Sequence, residues 1–148
     1  MLDTHARKYV APAIQWTAKL FIKAGFNATQ VTWVAFIIGA SSGVFLYYGY
    51  IWLSMIVFWF SGFLDAVDGA VARLTKTSSA WGTVLDVTFD RIVELSIILA
   101  LGLLHPEALF PLLLLTGSIV VGMTVFLTVG AVSEKKRGKV ILLPSRFS

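Results

Sequence analysis

The sequence predicts an all-α protein, a polytopic bundle of membrane-spanning helices preceded by an amphipathic helix on the membrane surface. Three observations carry that expectation. Of 148 residues, 57% are hydrophobic and only 14% charged, and the mean hydropathy is +0.84, a balance outside the range of ordinary soluble domains. Four windows, Val31 to Tyr50, Ile51 to Ala72, Ala80 to Leu104 and Leu109 to Val132, are each long enough to cross a hydrocarbon core of about 30 Å as a helix. The Lys and Arg residues gather at alternate ends of these windows, as the positive-inside rule requires of short loops. Disordered, collagen-like and disulfide-stapled classes are excluded, and with no cysteine there is neither a thiol ligand nor a Cys nucleophile.

In chain order, residues 1–26 come first. Asp3, Arg7, Lys8, Lys19 and Lys23 interrupt every apolar run, which rules out a signal peptide. Val10, Ala13, Ile14, Ala18 and Phe21 recur at helical spacing, so this segment is expected as a cytoplasmic amphipathic juxtamembrane helix. The transmembrane domain is expected over 27–134 and a basic cytoplasmic tail over 135–148. Two connections, Tyr47 to Tyr50 and His105 to Glu107, contain no Lys or Arg. The N-terminus, the connection holding Arg73 and Lys76, and the tail holding Lys135, Lys136, Arg137, Lys139 and Arg146 contain nearly all of them. These three are therefore expected to face the cytoplasm of a multi-pass cell-membrane protein. The net charge of +4 is accounted for by this orientation, and no nucleic-acid partner is expected. Trp52 with the neighbouring tyrosines, and Trp33 with Trp81, fall near window ends where amphipathic rings anchor. Gly39-Ala-Ser-Ser-Gly43 is a small-residue face of the kind that packs helices together. Asn27-Ala28-Thr29 matches a glycosylation acceptor but lies on the cytoplasmic side.

Four aspartates, Asp65, Asp68, Asp86 and Asp90, occupy the second and third windows. Facing lipid without partners, they would cost on the order of 10 kcal/mol. Helical geometry puts Asp65, Asp68, Gly69 and Ala72 on one face of the second helix, within about 100° of one another, and Gly82, Asp86 and Asp90 on one face of the third. Antiparallel helices joined by a short connection can bring both faces together towards the cytoplasmic side. Intramembrane cations are too few to neutralise the cluster, since Arg91 projects about 140° from Asp86 and Arg73 stands at a helix end. An all-oxygen ligand set of this kind suits Mg²⁺, Mn²⁺ or Ca²⁺ better than zinc. On these grounds alone a metal site, a buried polar network and a proton path all remain open.

The order of residues narrows the choice. Asp65-Ala-Val-Asp68-Gly69-Ala-Val-Ala72-Arg73, followed after eight residues by Gly82, then Asp86 and Asp90 at intervals of four, spells D-x2-D-G-x2-A-R-x8-G-x3-D-x3-D. This 26-residue pattern resembles the signature of the CDP-alcohol phosphotransferase (phosphatidyltransferase) family, integral-membrane transferases of phospholipid biosynthesis. The resemblance implies two divalent ions, Mg²⁺ or Mn²⁺, held by Asp65, Asp68, Asp86 and Asp90, with Asp90 also the catalytic base. It implies that Gly69, Ala72, Arg73 and Gly82, and in some members the residue at Ser79, contact the CDP-linked substrate. It further implies transfer of a phosphatidyl group from CDP-diacylglycerol to an alcohol, with release of CMP, in a homodimer among membrane lipids. The run Leu85 to Arg91 resembles the branch using inositol phosphate or related polyol phosphates, with glycerol 3-phosphate the next acceptor; Arg91 is equally placed to pair with Glu94.

Members of that family usually have six spanning helices, so four windows make this sequence read as a minimal, truncated or frameshifted form. A small ion or proton transporter or channel subunit would explain the buried acids but not the intervals of Gly69, Ala72, Arg73 and Gly82. An inactive truncated member would explain both. His5 and His105 lie at opposite membrane sides by this topology, which argues against a His-based zinc site or a catalytic triad.

Overall fold

A computed structural model of the chain describes residues 2–141, with side chains from residue 10 to 133. Among the described residues there are five helices and no strand: α1 (Leu2–Lys23), α2 (Ala28–Tyr47), α3 (Ile51–Thr75), α4 (Ala80–Leu104) and, after a 3₁₀ turn at Pro106–Ala108, α5 (Leu109–Ile141). Helices α1 to α4 form one compact unit and α5 belongs to a second.

The turns between the first three helices are set by glycine. Gly25 and Gly49 each have φ of +83°, a left-handed conformation that stops a helix at little cost only when there is no Cβ. At the first of them the Phe26 amide donates to Phe21 O (3.0 Å) and the two rings meet edge to face at 5.5 Å. At the second the Tyr50 amide donates to Phe45 O at 2.9 Å. Helix α2 then starts on a reciprocal cap in which the Asn27 amide donates to Gln30 Oε1 at 2.9 Å. Helix α3 ends the same way as α1, except that Lys76 holds the left-handed position with φ of +58°.

Helix α2 is the centre of the first unit: α3 and α4 both pack on it, and α1 packs on α3. The small-residue face expected to join helices does so within the chain. A Cβ at Gly39 would collide with Ser61 Oγ of α3 and stand 2.7 Å from Val93 Cγ2 of α4, and one at Gly43 would stand 2.5 Å from the Ser96 carbonyl oxygen. Close approach lets Ser61 donate to Ala35 O and Ser54 to Ser42 O, both at 2.8 Å, so α2 and α3 are joined by buried hydrogen bonds as well as by packing. Trp33, expected as an interfacial anchor, also contacts Phe89 of α4 with ring centroids 4.7 Å apart, and Phe36 stacks on the same ring at 4.1 Å. Trp52 and Trp81 are 79% and 69% exposed, as anchors require.

The amphipathic helix does more than lie on a surface. Ala18 is fully buried against Val31, Val67, Ala70 and Val71, with Ile14, Phe21 and Ile22 packed around them. Of the apolar face read from the sequence, Val10 and Ala13 are left exposed.

Three helices are both long and apolar enough to cross a membrane, Ala28–Tyr47, Ile51–Thr75 and Pro106–Ser133. The sequence windows counted four. The difference is α4, which has the same 25 residues as α3 but contains Asp86, Asp90, Arg91 and Glu94, too many charges to qualify on composition. Helix α5 begins where expected and runs past Val132 through Lys135, Lys136 and Arg137, so the first half of the expected basic tail continues the helix. The rest of that tail, 142–148, lies outside the described residues.

The packing makes a testable contrast. Gly43→Ala drives a methyl into backbone, not into a mobile side chain, and overpacking of this kind typically costs about 1–3 kcal/mol. Gly62→Ala meets nothing within 4 Å. In detergent, thermal unfolding followed by circular dichroism is expected to fall by several degrees for the first substitution and to stay at or above wild type for the second.

Candidate functional site

Helix α3 supplies Asp65 and Asp68, and α4 supplies Asp86 and Asp90. Because both helices lie on α2, their acidic faces confront each other: one carboxylate oxygen each from Asp65, Asp68 and Asp86 lies within 4.8 Å of the others. Asp90 stands outside this trio. It sits one turn beyond Asp86, about 6 Å further along the axis and 40° round, and its side chain is exposed. Of the four carboxylates read as ligands in the sequence, three therefore lie within this distance of one another, and Asp90, read also as the catalytic base, is not among them.

The trio forms part of the walls of two cavities. On one side is a polar cavity of about 540 Å³, lined by Asp68, Gly69, Ala72 and Arg73 from α3 and by Ser79, Gly82 and Asp86 around the start of α4. Every substrate-contacting residue inferred from the signature is there. On the other side is an apolar cavity of about 620 Å³, walled by Ile14, Ala35, Phe36, Phe63, Phe89 and Val93, with Asp65 and Asp90 among its few polar groups. The carboxylates thus stand between a compartment suited to polar groups and one suited to hydrocarbon.

Local structure explains several positions in the polar cavity. Ser79 is the N-cap of α4, its Oγ accepting from the Gly82 amide at 3.0 Å. A Cβ at Gly82 would press on that hydroxyl at 3.3 Å, and one at Gly69 would stand 3.2 Å from Arg73 Nη1. The Arg73 guanidinium therefore folds back over the bare backbone of Gly69, which holds a forked cation beside the carboxylates. The sequence reading missed Asn27, Thr29 and Thr32, which close the polar cavity from the first turn of α2. The available signal was a cluster of hydroxyl and amide side chains opening an otherwise apolar helix. Arg91 pairs with Glu94, Nη1 to Oε2 at 2.6 Å, and belongs to the wall of neither cavity.

The donor set fits a divalent cation. Asp68 is 6% exposed, and its Oδ2 is buried with no hydrogen-bond partner. A buried carboxylate oxygen left without a donor costs about 1–3 kcal/mol or more, and here two further carboxylates face it. Oxygens sharing one cation at about 2.1–2.5 Å lie at most about 4–5 Å apart, which the trio meets with little rearrangement. Hard, all-oxygen ligands select Mg²⁺, Mn²⁺ or Ca²⁺.

The sequence profile described as CDP-alcohol phosphatidyltransferase matches residues 26–143. The chain belongs to the CDP-alcohol phosphatidyltransferase family. Among its relatives, the phosphatidylinositol phosphate synthase of Corynebacterium glutamicum is 36% identical over 98 residues, 64% of this chain and 43% of that protein. The archaetidylinositol phosphate synthase of Pyrococcus horikoshii is 32% identical, over 66% of this chain and 52% of that protein. The inner membrane protein YnjF of Escherichia coli is 31% identical, over 68% of this chain and 50% of that protein. The chain thus spans about half the length of these curated relatives. No solved structure matches it.

Charge crowding in the trio has a measurable consequence. With divalent cations chelated, Asp68→Asn is expected to unfold at a higher temperature than wild type, because it removes one of three facing charges. Mn²⁺ should reverse the order: at about a hundred times its dissociation constant it stabilises the protein that binds it by about 2.7 kcal/mol and leaves the Asn variant nearly unmoved. Thermal unfolding with and without Mn²⁺ checks both halves.

Proposed function

We propose that the protein transfers a phosphatidyl group from CDP-diacylglycerol to an alcohol acceptor, releasing CMP, with divalent cations held by Asp65, Asp68 and Asp86. The observation that carries this reading is the place of the carboxylates: Asp68 and Asp86 line a polar cavity together with Gly69, Ala72, Arg73 and Gly82 of the signature, and Asp65 and Asp90 line an apolar one. The scissile phosphate of a nucleotide-linked lipid has the same placement, nucleotide on one side and hydrocarbon on the other. Depth supports it as well. Asp65 is 14 residues from the start of α3 at Ile51, about 21 Å along the axis, which puts the phosphate below the cytoplasmic surface while CMP still has a path to water.

The bound cations, a pair of Mg²⁺ or Mn²⁺ ions, supply electrostatic stabilisation of charge on the diphosphate. The protein supplies the rest. The Arg73 guanidinium offers paired donors to phosphate oxygens, and Gly69, Ala72 and Gly82 leave room for the nucleotide to approach the helix backbones. Ser79, already accepting from Gly82, keeps its hydroxyl proton for the substrate. Asp90, exposed and apart from the trio, takes the proton of the acceptor hydroxyl as its oxygen attacks the phosphate bearing diacylglycerol; the bond to CMP breaks and CMP leaves with the electron pair. The division of the carboxylates into three that converge and one that does not supports separate holding and base roles.

The names of the inositol phosphate-using relatives favour a polyol phosphate such as inositol phosphate as acceptor, ahead of glycerol 3-phosphate. Arg91 is engaged by Glu94. The distribution of Lys and Arg supports α4 as a fourth span, its acids turned inward, and a cytoplasmic N-terminus, active site and tail. Residues 1–26 then serve as a juxtamembrane helix and 27–134 as the transmembrane transferase domain.

Purified protein in mixed micelles with CDP-diacylglycerol, Mn²⁺ and inositol phosphate is expected to release CMP, and Asp90→Asn to lower the rate by about 10²–10⁴-fold, the usual worth of general base catalysis. Helicity should be unchanged. Cation or proton flux through proteoliposomes without CMP release would instead assign the buried acids to transport.

A further inference from the structure

The proposed cation site depends on more than its carboxylates. Among the described residues Thr32 is the one side chain that lines both cavities, so it stands in the partition between them. It is half-buried on α2, the helix on which both acid-bearing helices rest. Its Oγ1 donates to Ala28 O at 3.0 Å, and the same hydroxyl stands beside the Asp68 carboxyl. One proton therefore has two acceptors in reach. Threonine is amphipathic at this scale: a hydroxyl suits the polar compartment and a methyl the apolar one.

Resting on the cation reading above, we infer that Thr32 is a positioning residue for the metal centre: its hydroxyl orients the Asp68 carboxylate so that the buried Oδ2 faces Asp65 and Asp86. Asp68 needs such a partner. Its Oδ2 has no donor of its own, and the donors in reach of the carboxyl are this hydroxyl and the Gly69 amide on the same helix; of these only the hydroxyl comes from another helix. A hydrogen bond on one oxygen fixes the plane of the group and leaves the other oxygen for the cation. Groups that hold metal ligands in this way typically contribute about 10–100-fold to metal affinity. Thr32 lies outside the signature, so the signature alone does not complete the site: α2 contributes its third wall.

The test is Mn²⁺ binding to the full-length protein in detergent, read from the free-ion paramagnetic resonance signal without substrate. Thr32→Val keeps the shape and removes the hydroxyl; it is expected to raise the dissociation constant about tenfold or more, with helicity and unfolding temperature in chelator unchanged. Thr32→Ser keeps the hydroxyl and is expected to stay within about threefold of wild type. Should the Val variant lose helicity, Thr32→Ala takes its place against the same Ser control. Wild-type affinity in the Val variant, with Asp68→Asn binding weakly, overturns the role of Thr32 and leaves the cation site standing. Equal weakening in the Val and Ser variants overturns it too, because packing of the methyl would then be responsible. Wild-type affinity in Asp68→Asn overturns the cation reading itself and this inference with it.

Discussion

Carboxylates that converge in an apolar bundle repel one another, and the helices bearing them must be held together by contacts elsewhere. That holding is done by α2. Gly39 and Gly43 let α3 and α4 approach to backbone distance, where Ser54 and Ser61 form buried hydrogen bonds to α2 carbonyls. In hydrocarbon, where association gains little from the hydrophobic effect, such close packing and hydrogen bonding supply most of the attraction between helices. The acidic site is thus fixed by neutral contacts on another part of the same helices. The interaction that assembles the fold is separate from the one that stresses it, so the stress is kept for a ligand.

Much of this was legible in the sequence. Apolar run length located all four long windows, and the boundaries of α4 matched residue for residue because the serines before it and His105 after it are clear stops. Gly69, Ala72, Arg73, Ser79 and Gly82, named from the resemblance, all line the polar cavity, since spacing along a regular helix converts directly into position on a face. What spacing cannot convey is distance between helices. Asp86 and Asp90 look alike in the sequence because they share a face; only the tilt of α4 across α2 decides which of them reaches Asp65 and Asp68. The three polar residues at the start of α2 were not read as part of the site for a related reason: nothing periodic links them to the acids, and only the tertiary arrangement turns them towards the cavity. Trp33 shows the converse, an aromatic residue whose place near a helix end suggests the interface while its ring packs on α4.

The two cavities give the family's chemistry a spatial logic. A polar compartment and an apolar one meet at a row of acids. On the proposed reading, a substrate that is half nucleotide and half lipid would be sorted by solubility before any specific contact is made, and specific contacts would have the smaller task of setting the phosphorus beside the acids.

The central place of α2 bears on how the protein is made. In chain order α2 precedes both of the helices that pack on it. Helix α3 follows after a three-residue turn and finds the carbonyl acceptors of its serines already presented, so the hairpin can close before Asp86 and Asp90 arrive. The crowding begins when α4 docks on a platform that is by then complete. That order would leave the least favourable encounter in the molecule until the scaffold that withstands it exists.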